Sequence, residues 1–508
     1  MLSTIIWLPV LGAALIGFWP QTWSPQRSHF VAWAIAGLTF LAAVFLAINF
    51  DFQASGLQFQ EHISWIAPLG LDYRLGVDGL SLPLVVLNGF LIWIAIQSTP
   101  KQVSRPRLFY SLIFLLSAAV AGAFLAQNLL LFFLFYELEL IPLYLLIVIW
   151  GGDRRGYAAT KFLIYQALSG IVLLIGFLAW AWASGSSTFT VEVEALASSL
   201  PMGLQLILLS ILILGFGIKM PLVPFHTWLP DAYVEASTPV SILLGGIVSK
   251  LGTYGLIRFG LALFPDAWHV VAPWLATAAV VTSLYGALVA IAQTDMKKMI
   301  AYSSVSHLSY VLLASAAATE LSLLGAVCQM VAHGLILALL FYLVGVIEAK
   351  TGSRDLAQLQ GLLNPKRGLP LISGILILGT MASAGIPGMV GFVGEFLSFQ
   401  GSYIMFPAQT LLCLASTGLT SVYFVLLINR ALFGRLEDKL SYLPKVTWEE
   451  QIPAIALIAL IVLLGVQPNA LVRWSQTTTN SLVAMVAEHS PQQVALTPHS
   501  PQSEIVNP

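Results

Sequence analysis

The chain has 508 residues, 58% of them hydrophobic and only 9% charged, and its formal net charge is -1. Soluble domains carry roughly 25% charged residues, so a water-soluble globular fold is excluded. The near-neutral balance also argues against nucleic acid or an acidic surface as partner.

A membrane span needs about 20 apolar residues. Fourteen candidates follow one another along the chain, at 2–20, 29–50, 77–97, 108–126, 128–150, 157–184, 202–229, 239–262, 271–292, 300–318, 321–347, 371–405, 409–432 and 452–473. The first is hydrophobic like a signal peptide, but no basic residue precedes it and no small-residue cleavage site follows, so it reads as a retained span. The segment 51–76 is polar enough to lie outside the membrane and has room for a hairpin. The seventh candidate is interrupted by prolines, and the twelfth is too long for one straight span. The tail 477–508 is rich in Gln, Ser, Pro and Thr, a composition expected to be disordered.

Cations test this order of spans. Seventeen of the 22 Lys and Arg fall in alternate loops: Arg27; Lys101, Arg105 and Arg107; Arg154, Arg155 and Lys161; Lys297 and Lys298; Lys350, Arg354, Lys366 and Arg367; Arg430, Arg435, Lys439 and Lys445. The opposite side keeps Arg74, Arg258 and Arg473. This asymmetry is the positive-inside signature, and with fourteen spans it puts both termini on the non-cytoplasmic side. Cys328 and Cys413 are isolated in apolar runs, and no Cys/His cluster, dinucleotide fingerprint or P-loop is present. No redox cofactor, nucleotide or metal is therefore expected on this chain.

Two cations remain, and they lie within the spans. Lys219 ends an apolar run in GFGIKMPLVPFHTWLPDA, and Lys250 sits in SILLGGIVSKLGTYGL. Glu137 in LLLFFLFYELELIPLYLL and Glu395 in GIPGMVGFVGEFLSFQG are carboxylates in equally apolar company. His307 in AYSSVSHLSYVLL and His333 in CQMVAHGLILALLF complete the set. For Glu139 a structural reading, as an ion-pair member or a span-end group facing water or a partner, stands level with a functional one. An ionisable residue at membrane depth is a functional hypothesis by default. Structural pairing is the competing explanation for each residue singly, but buried ion pairs seldom add net stability. Burial penalises the charged form of lysine and carboxylate alike, so the set suits proton relay. Pro221 and Pro224 remove backbone donors beside Lys219, and the glycines and Pro387 interrupt the chain beside Glu395. Broken helices at membrane depth are tolerated where they line hydrated cavities. The two breaks lie five spans apart, which predicts an inverted repeat.

The stretches FYELELIPLYLL, KMPLVPFHTWLPDAYVEASTPVSILLGGIVSKLGTYGLIRF, TDMKKMIAYSSVSH, QMVAHG and GIPGMVGFVGEF resemble the antiporter-like subunits of complex I and of multi-subunit sodium/proton antiporters. The likeness covers roughly residues 75 to 435. Within complex I it looks like the chain 4 type (subunit M or D), because Glu395 stands where the chain 2 and chain 5 types usually have lysine. The resemblance implies that Glu137 and Lys219 are paired as acid and base, that Lys250 is the central relay residue, that His307 and His333 continue the path and that Glu395 ends it. Overall likeness points to the NDH-1 complex of cyanobacteria or plastids, with ferredoxin as donor, plastoquinone as acceptor and a thylakoid location. The N-terminal segment and the 51–80 loop look like the variants tied to CO2 uptake.

The expected fold is all-α: a polytopic membrane protein of about fourteen transmembrane helices, with an inverted five-helix repeat and two broken helices. An N-terminal three-helix segment, 1–107, carries the lumenal loop 51–76. The repeats are 108–262 and 271–432, followed by a C-terminal helix in 433–476 and the polar tail 477–508. Lipid and the other membrane-arm subunits, of the chain 2 and chain 5 types, are the expected partners. Other functions open at this point are the D subunit of a sodium/proton antiporter, a proton-inert structural anchor and a standalone transporter.

Overall fold

A computed structural model describes residues 1–18, 24–185, 189, 200–436 and 443–488. Among them seventeen helices follow in chain order: α1 (Leu2–Phe18), α2 (Pro25–Ile48), α3 (Leu82–Gln97), α4 (Pro106–Leu125), α5 (Leu129–Trp150), α6 (Arg155–Ser184), α7 (Met202–Lys219), α8 (Trp228–Glu235), α9 (Thr238–Leu261), α10 (Pro265–Ile291), α11 (Met296–Ala317), α12 (Glu320–Thr351), α13 (Pro370–Ser383), α14 (Val390–Tyr403), α15 (Pro407–Ala431), α16 (Trp448–Val466) and α17 (Asn469–Glu488). Eleven are long and apolar enough to cross a membrane, and α1, α3 and α13 are shorter apolar helices. The expected all-α polytopic class is what the chain adopts. The only sheet among the described residues is the hairpin of β1 (Gln58–Ile66) and β2 (Leu71–Val77), antiparallel with Glu61 opposite Leu75.

Burial sorts the helices. In α9 the whole of the most apolar stretch is buried, and α11 and α12 are almost as enclosed, whereas α16 buries only 22% of its own. The three enclosed helices are the ones carrying Lys250, His307 and His333. Around them α4 packs on α1, α6 on α7, α10 on α11 and α15, and α12 on α14. Apolar side chains alone give no hydrophobic drive between helices in lipid. Close packing has to supply it, and Gly252 of α9 shows how: a Cβ there would stand 3.0 Å from Phe216 O and 3.2 Å from the Lys219 Cβ of α7.

Both expected breaks are present, each at the fourth span of its repeat. After Lys219, Pro221 cannot donate to Gly217 O, which accepts from Leu222 N instead (2.9 Å). The Ile218 carbonyl thus freed accepts from Trp228 Nε1 at 2.9 Å. In the second repeat α13 ends at Ser383 and α14 begins at Val390. Between them Gly385 (φ +71°) and Gly388 (φ +91°) take left-handed backbone that L side chains resist. A third, smaller lapse lies in α5, where helical bonding fails at Glu139, between Leu129–Leu138 and Leu140–Trp150. Pro142 has no N–H for the Leu138 carbonyl.

Ion pairs gather the basic loops on one face. Lys101 meets Glu449 at 2.6 Å, Lys350 meets Glu450 at 2.8 Å and Arg354 meets Asp295 at 2.6 Å. Lys439 lies outside the described residues. The hairpin occupies the opposite face together with α17, which corrects the reading of the tail: residues 477–488 are helical, and 489–508 lie outside the described residues. Composition misleads here because the hydroxyls of α17 are turned to the protein. Ser475, Thr478 and Thr479 are buried with Leu471 and Val486. Thr478 Oγ1 accepts from Gly79 N at 2.9 Å, and Thr477 Oγ1 donates to Phe52 O at 2.6 Å.

Candidate functional site

The α9 helix is wound irregularly on both sides of Lys250, with π-helical turns at Leu244–Val248 and Leu256–Leu261. Such turns recur at functional sites. Here the first brings the Gly245 carbonyl within reach of Lys250 Nζ, which donates to it. The ammonium has Ser249 Oγ at 3.4 Å and His333 Nδ1 at 2.9 Å as further neighbours. Lys250 is 0% exposed. Its two near acceptors are thus a backbone carbonyl and an imidazole, with no carboxylate in contact among the described residues.

His333 leads onward. Its ring stacks on that of His307, with centroids 6.1 Å apart and 20° between planes. His307 Nδ1 lies 3.3 Å from Glu395 Oε1, and its Nε2 lies 3.3 Å from Thr420 Oγ1. All of these side chains are buried. Gly385 makes room at the far end, because a Cβ there would stand 2.6 Å from Glu395 Oε2. Four of the six residues singled out in the sequence therefore form one file, Lys250–His333–His307–Glu395. Across Gly252 the file faces Lys219.

Lys219 is where the structure departs from expectation. Its ammonium lies over the Tyr136 ring, 4.1 Å from the centroid, and forms an ion pair with Glu139, not with Glu137. Side-chain exposure is 2% for Lys219 and 1% for Glu139. Glu137 makes no hydrogen bond or ion pair among the described residues. It is half-buried between α5 and α6, its carboxylate lying where a Cβ on Gly170 would stand. Residues two apart on a helix project about 200° apart, so the two carboxylates leave α5 in different directions: Glu139 meets Lys219 of α7, and Glu137 lies against Gly170 of α6.

Three further buried polar groups escaped the sequence reading. Arg258 was assigned to an aqueous side, yet it lies 2.5 Å from Asp78 and is 7% exposed. Burial pushes the Asp78 carboxyl up, but the Arg258 guanidinium and Ser81 outweigh it and hold it below the usual carboxylate value. Lys297 reads as a loop residue but is buried, with Nζ donating to Ala236 O at 2.8 Å. It forms part of the wall of a vestibule of about 600 Å³ on the basic face, with His29, Glu235 and Arg354. His226, in the first break, is buried edge-on against Tyr285, ring centroids 4.8 Å apart. Its signal was available in the sequence: a histidine between two prolines and a tryptophan in an otherwise apolar stretch. Among the described residues no cluster of His, Cys, Asp or Glu is fit to hold a metal ion.

A bundle of apolar helices, two of them broken, around a buried file of titratable groups defines a class of polytopic membrane protein. Residues 126–420 match the family described as NADH:quinone oxidoreductase/Mrp antiporter, TM. The chain is 38% identical to NAD(P)H-quinone oxidoreductase chain 4 1 of Synechococcus sp. (strain JA-3-3Ab), over 98% of this chain and 96% of that protein. It is 36% identical to the protein of the same name from Nostoc sp. (strain PCC 7120 / SAG 25.82 / UTEX 2576), over 99% and 95%. A chain of respiratory complex I from Thermus thermophilus superposes with a TM-score of 0.87 at 25% identity, over 96% of this chain and 100% of that one. A chain of the Mrp complex from Dietzia sp. DQ12-45-1b gives 0.84 at 21% identity over 96% and 98%, a likeness of fold alone. The chain belongs to this family of NADH:quinone oxidoreductase and Mrp antiporter transmembrane subunits.

Proposed function

We propose that the chain is a proton-translocating membrane subunit of a complex I-type NAD(P)H-quinone oxidoreductase, with the redox chemistry carried by other subunits. The observation that carries this reading is the buried file from Lys250 through His333 and His307 to Glu395. Lys250 can donate to Nδ1 of a neutral His333. The proton leaves His333 at Nε2, crosses to His307 through a bridging water or a ring reorientation, and reaches Glu395 from Nδ1. Each member is a group that binds and releases one proton without other chemistry. The wider gap between the imidazoles is of a size that water bridges.

The finer reading is a thylakoid NDH-1 complex of cyanobacterial type, reducing plastoquinone with ferredoxin as donor, in the form that serves CO2 uptake. Support comes from the organisms of the relatives and from the likeness of the N-terminal segment and the 51–80 loop. Under this reading the basic face lies in the cytoplasm, the hairpin and both termini lie in the lumen, and the outward apolar faces meet lipid and neighbouring antiporter-like subunits of the chain 2 and chain 5 types. No cofactor is assigned to this chain. Mass spectrometry of the gently solubilised complex from native membranes tests membership: redox subunits co-purifying support it, and small antiporter subunits in their place would move the chain to the sodium/proton antiporter reading. Lys250→Ala tests the mechanism. The proton-to-electron ratio of the intact complex should fall, and an unchanged ratio would refute translocation by this chain. Cysteine labelling of the 351–368 loop from the lumenal side alone would overturn the topology.

A further inference from the structure

The basic face carries its charge unevenly. Residues 1–50 and 79–136 contain no Asp or Glu, so α1 to α4 bring Arg27, Lys101, Arg105 and Arg107 to that face without a carboxylate of their own. Lys101 finds Glu449 of α16. Arg105 is exposed and in no ion pair among the described residues. Together with Arg107 it stands at the mouth of a groove of about 670 Å³ between α1 and α4. Small residues of α1, Ala13, Ala14 and Gly17, leave the groove hollow. Its one hydroxyl is already bonded, since Ser111 Oγ donates to Ala13 O at 2.8 Å, so below the arginines the walls are apolar. Exposed Leu15, Phe18 and Leu108 flank it, and it opens on the lipid side of the bundle. From Arg105 to Leu115 it follows α4 for about 15 Å at about 1.5 Å per residue. That is the depth of one leaflet in a hydrocarbon core about 30 Å thick.

We propose that this groove binds an anionic diacyl phospholipid of the leaflet on the basic face, with its phosphate on Arg105 and Arg107 and one acyl chain along Ala13, Ala14 and Gly17. Charge decides the headgroup. Guanidinium groups take phosphate in planar, two-pronged hydrogen bonds, and no carboxylate lines the groove among the described residues. The positive end of α4 adds to the same field, because Arg105 is its N-cap and no side-chain oxygen closes the first turn. Shape decides the rest of the molecule. A free anion would answer the arginines but leave the apolar length below them empty. An apolar helix from a neighbour would cover that length but leave the arginines unanswered. A phospholipid does both, as in other basic pockets between membrane helices. Bound there, it fastens α1 to the first helix of the first repeat, α4, on which α1 packs. The inference needs only that α1 and α4 lie in the membrane, and it is independent of the proton file.

The test uses the intact complex and phosphatidylglycerol carrying a photoreactive group in one acyl chain. After irradiation, peptide mass spectrometry should find the label within residues 10–18 and 108–115. Unlabelled phosphatidylglycerol should displace it, whereas phosphatidylcholine and inorganic phosphate should not. Arg105→Gln/Arg107→Gln should lower the labelling roughly 30-fold, the worth of two basic residues against an anionic lipid, and Arg105→Lys/Arg107→Lys should keep part of it. Ala14→Trp fills the groove and leaves the arginines alone, and it should abolish the label in an assembled complex. Equal displacement by phosphatidylcholine would mean ordinary boundary lipid and would overturn the proposal. Displacement by inorganic phosphate would overturn it in favour of a free anion. Groove peptides that cross-link to another subunit and take no label would overturn it in favour of a protein interface. Should the double arginine variant fail to assemble, Arg105→Gln and Ala14→Trp decide, and labelling unchanged in both would refute it. The proton-to-electron ratio of Lys250→Ala is a separate readout, so either reading can fail without the other.

Discussion

Replacing His333 by phenylalanine removes the side chain that links Lys250 to His307. Phenylalanine fills nearly the same space, so the enclosed packing of α12 is kept, but the acceptor 2.9 Å from Lys250 Nζ is lost. The ammonium keeps the Gly245 carbonyl and a long contact to Ser249 at 3.4 Å, so the stability loss is that of one buried hydrogen bond, about 1–3 kcal/mol. The kinetic loss is larger. The His307 ring already lies 6.1 Å beyond the His333 ring. Without an imidazole between them, the step from Lys250 to His307 far exceeds the hydrogen-bond reach of about 3 Å. Removing a positioned acid–base group lowers a proton-transfer rate by about 100-fold or more, which corresponds to about 2.7 kcal/mol in barrier height. The assay is quinone-reductase turnover against the initial rate of vesicle acidification, measured on the assembled His333→Phe complex. Electron transfer should persist with a lowered proton-to-electron ratio, and His333→Gln, which keeps a polar end, should fall between. A normal ratio at wild-type turnover would refute the role of this histidine.

Three other substitutions probe the frame that holds the file. Gly252→Ala should drive α7 from α9, because its Cβ would stand 2.9 Å from Met220 N; overpacking of this kind destabilises by about 1–3 kcal/mol, and pumping should fall more than assembly judged by native gel. Gly385→Ala meets both a left-handed backbone (φ +71°) and the Glu395 carboxylate, so the complex should assemble with a lowered proton-to-electron ratio; full pumping would show that the His307–Glu395 contact is dispensable. Asp78→Asn leaves Arg258 buried without its counter-charge, which should cost about 3–5 kcal/mol and lower the thermal stability of the solubilised complex. Asp78→Leu/Arg258→Leu should recover most of that loss, and a double variant no better than the single would refute the pair. Because the folded Asp78 value lies below its unfolded one, this pair should hold above about pH 4 and weaken only as the pH falls through the lowered value.

Much of the site could be read before folding because lipid makes charge conspicuous. Lys219, Lys250 and Glu395 each interrupt an apolar run, and proline or glycine beside the first and last announced the breaks. The choice of partner for Lys219 was not readable. Glu137 and Glu139 differ by two positions, and which one reaches the Lys219 ammonium depends on how α5 is rotated against α6 and α7, a matter of tertiary packing. The Asp78–Arg258 pair joins residues 180 apart in sequence. Each alone reads as an ordinary charge near a span end, and only the fold brings them into contact. Lys297 misled in the same way, since a cation next to another in a loop-like stretch signals water. The polar tail misled for the opposite reason. Leu471, Ser475, Thr478, Leu482 and Val486 recur at helical spacing, but two of these five carry hydroxyls, and a hydrophobic count passes over the stripe.

The irregular backbone and the buried charges belong to one physical requirement. A regular helix closes every backbone carbonyl on its own N–H groups and leaves nothing polar for an ammonium in an apolar interior. Each lysine of this site sits where that closure lapses. Lys219 ends α7 just before Pro221, where the freed Ile218 carbonyl is taken by Trp228 and the lysine itself by Glu139. Lys250 follows a π-helical turn whose extra residue presents the Gly245 carbonyl. Glu395 lies one and a half turns into α14, beyond the left-handed glycines of the second break. The histidines need no such provision, because a neutral imidazole is admitted to a regular helix at little penalty, and α11 and α12 run through His307 and His333 without interruption. The file therefore begins and ends on groups beside irregular backbone and runs through imidazoles on regular helices between them. Under the proton-translocating reading, a proton entering or leaving the file meets backbone opened by a break or a π-helical turn, and between those points it is passed by imidazoles.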